Sequence, residues 1–166
     1  MISSTYTPAN WYWFVGQETS KVFSSAKFAY VPTSDATYVA WAANTKATTI
    51  DSTESLIVVL SDQVMPTYFV NGMSLTSNAN PDLNGDYTLD PTSTQQITAI
   101  ATSIAAGRGV PGGGTTFMYQ GHQFTSEDFL NFADAASNFV YNSNVALQKI
   151  VLTGTGSMPV QPTTIP

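Results

Sequence analysis

The chain has 166 residues, of which 43% are hydrophobic and only 10% are charged, and its formal net charge is −6. Its 5 basic residues are scattered, which argues against binding to nucleic acid, and the absence of cysteine excludes disulfides, thiol catalysis and cysteine–zinc sites. No apolar run is long enough to cross a bilayer, and the opening residues lack the features of a signal peptide. This composition favours a binding or structural protein over an enzyme.

The first part of the chain predicts an arm followed by a hairpin. Residues 1–10 are polar and show no hydrophobic period, so we expect an extended N-terminal arm. The dense aromatic run 11–15, a polar turn and a second apolar run together predict a β-hairpin over 11–25.

Two helices are predicted after this hairpin. Ser34 or Asp35 is a good N-cap for a helix near 35–44. A second helix is predicted near 52–64, where apolar residues recur at helical spacing behind a capping residue. We expect Pro66 to end it, because proline lacks the N–H group that a helix interior needs.

Two further hairpins are predicted from pairs of turn residues. Asn71-Gly72 can supply the two positive φ angles of a tight turn, and the apolar runs on either side predict a hairpin over 68–75. Gln120-Gly121 separates two short runs rich in strand-forming residues, which predicts a hairpin over 116–124.

The second half also predicts two longer helices. An Asp-Pro start predicts a helix near 91–106, and a Thr-Ser-Glu-Asp start predicts another near 126–144. Residues 145–152 fit either a continued helix or a strand. Glycine, threonine and proline dominate residues 153–166, which predicts a C-terminal arm.

These elements predict an α+β fold in which antiparallel β-hairpins are covered by about four helices, with extended arms at both ends. Residues 11–152 are expected to form a single domain, or two hairpin–helix lobes at 11–75 and 87–152. The predicted core residues lie on the apolar faces of their elements: Trp13, Trp41, Leu60, Ile100, Phe129 and Phe132.

Several motifs resemble chemical sites, but each has a simpler interpretation. Asp82–Asp86 alternates oxygen ligands as calcium loops do, yet its glycine and glutamate positions do not match, so a turn is favoured. Gly107–Gly114 lacks the lysine of a phosphate-binding loop and suits a helix cap with a connector. The sequence contains no Gly-x-Ser-x-Gly motif whose serine His122 could activate, so a catalytic role for this histidine is not favoured. Glu127-Asp128 suits the start of a helix. We therefore predict no catalytic, cofactor-binding or metal site.

The aromatic residues have two interpretations. A cluster of rings can form a platform for carbohydrate, but strand alternation should bury about half of them, so the core and subunit contacts are favoured. The prolines of the tail lower the entropy cost of docking it on a neighbouring subunit. The expected protein-interface residues come from the first aromatic run and from the tail: Trp11, Tyr12, Met158, Val160 and Ile165.

The order of short motifs along residues 11–141 is familiar, although none of them is specific by itself. They include Tyr12-Trp13-Phe14-Val15, Val22-Phe23-Ser24-Ser25-Ala26, Tyr30-Val31-Pro32, Thr49-Ile50-Asp51-Ser52, Asn80 to Tyr87, Asp90-Pro91, Ala133-Asp134-Ala135 and Phe139-Val140-Tyr141. In this order the chain resembles a group of small tail-associated proteins of tailed bacteriophages and prophages.

The resemblance implies a non-enzymatic structural subunit of a virion, at the tail, the baseplate or the fibre attachment. It implies partners among other virion proteins and copies of the chain itself, assembled in the host cytoplasm, with no cofactor, nucleic acid, membrane or small-molecule substrate. Three other functions remain open: a capsid decoration (cement) protein, a chaperone for fibre assembly, and a host-glycan-binding module.

Overall fold

The protein has an α+β fold and divides into two compact units. The computed structural model describes residues 5–166. The first unit comprises the described residues up to Tyr68 together with Ser143–Met158, and the second comprises Phe69–Asn142 with Pro159–Pro166. These units do not coincide with the predicted lobes at 11–75 and 87–152. Both divisions within 60–150 fall inside helices, where the sequence has no linker-like composition to mark them.

The sheet of the first unit has four strands in the order β3-β2-β1-β4. Strands β1 and β2 form the hairpin predicted over 11–25, which is confirmed, and β3 pairs antiparallel with β2. Strand β4, where no element was predicted, lies parallel to β1. The strands are β1 (Tyr12–Val15), β2 (Lys21–Ser24), β3 (Ala29–Pro32) and β4 (Thr48–Ile50).

The helices of this region begin at the predicted caps but do not all end as predicted. In α1 (Ala36–Ala42) the Asp35 carboxylate accepts hydrogen bonds from the first-turn backbone. Helix α2 (Thr53–Val59) continues through a π-helical turn at Leu60–Val64 into α3 (Met65–Asn71). Pro66 thus does not end the helix. The wider π turn accommodates Pro66, which lacks an N–H group and whose ring would clash with the preceding turn of a regular α-helix.

The hairpin predicted over 68–75 is wrong. Residues up to Asn71 belong to α3, and a strand follows as β5 (Met73–Ser77). Gly72 has φ +85°, which suits the residue after a helix end as well as it suits a turn. A Cβ at Gly72 would lie only 2.2 Å from the carbonyl oxygen of Tyr87, so this position admits no side chain.

The second unit contains a three-stranded sheet and a separate hairpin. The sheet has the order β6-β5-β9, with β6 antiparallel and β9 parallel to β5. The hairpin β7–β8 matches the prediction over 116–124, and Gln120 and Gly121 take positive φ at its turn. The remaining strands are β6 (Gly85–Tyr87), β7 (Thr116–Tyr119), β8 (His122–Thr125) and β9 (Thr163–Ile165).

The two long helices were predicted close to their positions. Helix α4 (Pro91–Ala105) begins behind the Asp90 cap. Gly107 caps its C-terminus, and the Arg108 N–H bonds back to the Ser103 carbonyl as in a Schellman motif. Helix α5 (Ser126–Thr153) is longer than predicted, because the ambiguous stretch continues the helix.

Four of the predicted core residues are buried. Trp13, Leu60, Phe129 and Phe132 are at most 1% exposed. Trp41 and Ile100 are only half-buried, because α1 has no fully buried residue and α4 leaves much of its surface in solvent. The second unit's core is a cluster of aromatic rings, with centroids 4.6 Å apart for Tyr87 and Phe132 and 5.0 Å apart for Phe117 and Phe129.

The predicted arms are packed on their own chain where they are described. Residues 1–4 lie outside the described residues. The Tyr6 ring contacts Trp11 at 4.7 Å, and its hydroxyl donates a hydrogen bond of 2.6 Å to Gln63. In the tail, Thr163–Ile165 forms β9 because its β-branched residues suit the free edge of β5. The tail was expected to dock on a neighbouring subunit, whereas β9 pairs with β5 of its own chain.

Candidate protein-interaction site

The most specific contact of the tail is its docking on β5. We call Gln161–Pro166 the docked segment, and the edge of β5 that receives it the β5 slot. The strands are parallel, with Leu75 opposite Thr163 and Ser77 opposite Ile165. Strand β5 is thereby hydrogen-bonded along both edges, to β6 on one side and to the docked segment on the other.

Polar contacts hold both ends of the docked segment. At its start, the Gln161 side chain accepts a hydrogen bond from the Ser74 N–H and donates one of 3.4 Å to the Gly72 carbonyl. At its end, the Ser77 hydroxyl donates to the Pro166 carbonyl at 3.0 Å. The β5 slot therefore binds the side-chain amide of Gln161 and backbone groups of the docked segment at a fixed spacing.

One apolar anchor completes the docking. Ile165 is 4% exposed, whereas Thr164 faces solvent, as strand alternation requires. Burial of an isoleucine side chain contributes about 1.5–3 kcal/mol. Ile165 was predicted to contact another protein, but in this structure its own chain covers it.

The other predicted interface residues have different surroundings. Trp11 and Tyr12 are 8% and 1% exposed, and the Trp11 indole N–H donates to the Thr48 hydroxyl at 2.9 Å. Both are core residues here, Tyr12 as the first residue of β1 and Trp11 directly before it. Met158 is half-buried, and Val160 is 86% exposed. Of these predicted residues, Val160 remains open to a partner.

A groove of about 490 Å³ lies beside the docked segment in the second unit. Asn131, Asp134, Asn138 and Asn142 line one side of it from α5, at the spacing that places them on one helix face. The Asn138 amide donates to the Asp134 carboxylate at 3.2 Å. Side-chain amides and a carboxylate along a groove suit hydroxyl or backbone ligands. No pattern in the sequence had indicated this face.

His122 has a structural partner. Its Nδ1 lies 2.8 Å from the Asp82 carbonyl oxygen, and because a carbonyl can only accept, Nδ1 carries the proton. The ring packs on Tyr87 at 4.8 Å, and Gly85 leaves it room, since a Cβ there would lie 3.1 Å from Nε2. These contacts connect β8 to the loop before β6.

The acidic loop 82–86 takes part in strand pairing. Asn84 accepts a hydrogen bond of 2.7 Å from the Ser77 N–H, and Asp86 accepts one from the Ser74 hydroxyl. Two of the oxygens proposed for a calcium loop thus bond to β5. Within residues 5–166, no group of three or more histidines and carboxylates is gathered as a metal site would require.

The remaining motifs serve helix ends. The Thr125 hydroxyl accepts a hydrogen bond of 3.2 Å from the Asp128 N–H, and the Asp128 carboxylate accepts one of 3.4 Å from the Thr125 N–H, as in a capping box. The carboxylate of Asp128 also accepts from Asn80 at 3.3 Å. The interpretation of Glu127-Asp128 as a helix start is confirmed for Asp128.

Comparison of the chain with protein-family models, with curated proteins and with solved structures gives no significant match. The resemblance to phage tail proteins therefore stays a prediction. None of the helices within residues 5–166 is long and apolar enough to cross a lipid bilayer.

Proposed function

We propose that this chain is a non-enzymatic structural subunit of a bacteriophage virion, at the tail, the baseplate or the fibre attachment, and that it acts through protein–protein contacts. Its partners are other virion proteins and copies of itself.

The observation that carries the proposal is the number of edge strands relative to the size of the sheets. The described residues form sheets of four, three and two strands, and each has two edges. An edge strand presents backbone N–H and C=O groups to any chain that can pair with it. Large apolar side chains exposed on strands, helices and the tail add contact area: Val39, Val58, Val70, Met118, Tyr141, Leu152 and Val160.

The low share of charged residues also supports the proposal. Only 10% of the residues are charged, so most of the polar side chains that can lie at the surface carry hydroxyls or amides. Such a surface packs against neighbours with a smaller desolvation cost than a highly charged one. The order of motifs along residues 11–141 points to the same class of protein.

Mass spectrometry of purified particles tests the proposal. We expect the chain at a constant ratio to the major structural proteins through successive purification steps, while an abundant host cytoplasmic protein is depleted. Labelling of the chain and imaging of the particles should then place it on the tail. A location on the head would indicate a decoration protein. Absence from particles that nevertheless need the gene for fibre assembly would indicate a chaperone.

The amide-lined groove supports host-glycan binding as a second candidate function. Titration of the protein with host polysaccharide tests it directly. We expect Asn138→Ala to weaken binding about tenfold, in line with the loss of hydrogen bonds to a ligand. The matched control is Gln148→Ala, which changes an exposed amide on the same helix outside the groove. No binding by the unaltered protein would exclude this candidate.

A further inference from the structure

We propose that the docked segment is exchangeable, so that the β5 slot of one copy of this chain can receive Gln161–Pro166 of a second copy. The proposal rests on the proposed structural function and names the partner: the same chain.

The hydrogen bonds that hold the docked segment run to the slot. Its residues bond to Gly72, Ser74, Ser77 and Asn78, all of which lie on β5 or directly beside it. Because these contacts are the same whichever copy supplies the segment, exchange makes no new interface and breaks none. Only the connection between segment and slot differs.

The docking is strong enough to be specific but small enough to be released. Strand β9 has only three residues, and Ile165 is its only buried side chain. Local openings of such short edge strands need far less free energy than unfolding of the whole protein. The slot is therefore transiently empty in a folded chain.

The residues before the docked segment form a suitable hinge. Residues 154–157 are exposed, and Gly154 and Gly156 have φ of +71° and +115°. The hydrogen bonds of Thr155 are to Thr153 alone among the described contacts. A glycine-containing hinge of this kind lets a released strand reach a neighbouring molecule.

Concentration decides which state is populated. In dilute solution a chain's own segment has a local concentration in the millimolar range, so the slot is filled from within. Where many copies are held side by side, as in a particle, a neighbour's segment competes at similar concentration. Exchange then links adjacent copies head to tail or in pairs.

Disulfide trapping tests this inference, and the chain is suited to it because it has no cysteine. Thr76 lies opposite Thr164 in the register of β5 and β9. Carrying both Thr76→Cys and Thr164→Cys, one full-length chain should form an internal disulfide. Two full-length chains with one of these substitutions each, mixed at millimolar concentration under mild oxidation, should form a mixed disulfide-linked dimer.

Two matched variants of the Thr164→Cys chain separate docking from chance collision. Ile165→Asp removes the buried anchor and should lower the yield of mixed dimer about tenfold. Gln148→Asp adds the same charge at an exposed position on α5 outside the slot and should leave the yield unchanged. An internal disulfide without any mixed dimer would overturn exchange, and so would a dimer yield that does not respond to Ile165→Asp.

This experiment uses purified protein, whereas the proposed function is tested on particles. A chain that is present in particles but gives no mixed dimer defeats the exchange alone. A mixed dimer from a chain that is absent from particles leaves exchange established and defeats the virion assignment.

Discussion

Asn71-Gly72 and Gln120-Gly121 look alike in the sequence, yet the first ends a helix and the second turns a hairpin. Both glycines have φ near +85°. Their surroundings differ, since a Cβ at Gly72 would strike the Tyr87 backbone and one at Gly121 would meet nothing within 4 Å. The comparison shows that an amide residue followed by glycine marks a change of chain direction. It does not show whether a helix or a strand precedes that change.

The preceding residues decide the outcome. Apolar Leu60, Val64 and Met65 are buried on one helix face, and the helix continues past Pro66 to reach Gly72. Before Gln120, alternate residues of β7 are buried, which is the period of a strand. A local turn signal is therefore subordinate to the periodicity of the segment that leads into it.

The largest expected effect is at the ring cluster next to both segments. Phe132 contacts Tyr87, which faces Gly72, and Tyr119, which precedes Gln120, at centroid distances of 4.6 and 6.0 Å. Phe132→Ala should lower the free energy of unfolding by about 3–5 kcal/mol because it leaves a cavity. Urea denaturation measures this, and a loss under about 1 kcal/mol would contradict its burial.

Gly72→Ala should have the second largest effect on stability. The added methyl group would lie 2.2 Å from the Tyr87 carbonyl oxygen, and the backbone at this position has φ +85°. The substitution therefore introduces both a steric clash with backbone and an unfavourable backbone conformation. We expect a loss of about 3–4 kcal/mol in the free energy of unfolding. Thermal unfolding followed by circular dichroism would measure it. A mild effect would mean that Tyr87 can move away from the helix end.

Tyr87 should make stability depend on alkaline pH. Burial raises the pKa of its hydroxyl, which donates to the Leu83 carbonyl at 2.8 Å. Its contribution is complete below the ordinary tyrosine pKa of about 10 and is lost as the pH rises above it, because the unfolded chain ionises first. Unfolding free energies at increasing pH should fall by about 1.4 kcal/mol per unit from this residue. Tyr87→Phe should make the decline of the unfolding free energy with pH less steep. An unchanged slope would mean that other groups cause the decline.

Gly121→Ala should have the smallest effect. Its Cβ meets open space, so only the positive φ opposes the substitution, at about 1–2 kcal/mol. Measured beside Gly72→Ala in the same denaturation series, it separates backbone strain from steric clash. Equal losses for the two variants would remove the contrast between the segments.

The candidate site was predictable only in part. The sequence predicted that the tail docks on a neighbouring subunit, whereas Thr163–Ile165 pairs with β5 of its own chain, because nothing in the tail shows that this edge of β5 lies within its reach. Thr163 to Ile165 pairs with residues 88 positions earlier, counted from Leu75 to Thr163. A contact at that separation leaves no local pattern, and the same is true of Thr48 to Ile50 beside β1.

Local chemistry determined where most elements begin. Asp35, Ser52 and Asp90 cap helices with their side-chain oxygens, because a first turn leaves backbone N–H groups that a nearby acceptor satisfies. These interactions span a few residues and are therefore written in the sequence itself. The same holds for the α+β class, which follows from the mixture of periods 2 and 3.6.

Tertiary structure alone decided three features. They are the continuation of α2 through a π turn past Pro66, the continuation of α5 over 145–152, and the parallel pairing of β4 with β1 and of β9 with β5. Each depends on burial against residues far away in the sequence. An apolar segment has nearly equal local preference for several conformations, and the surface that covers it selects one.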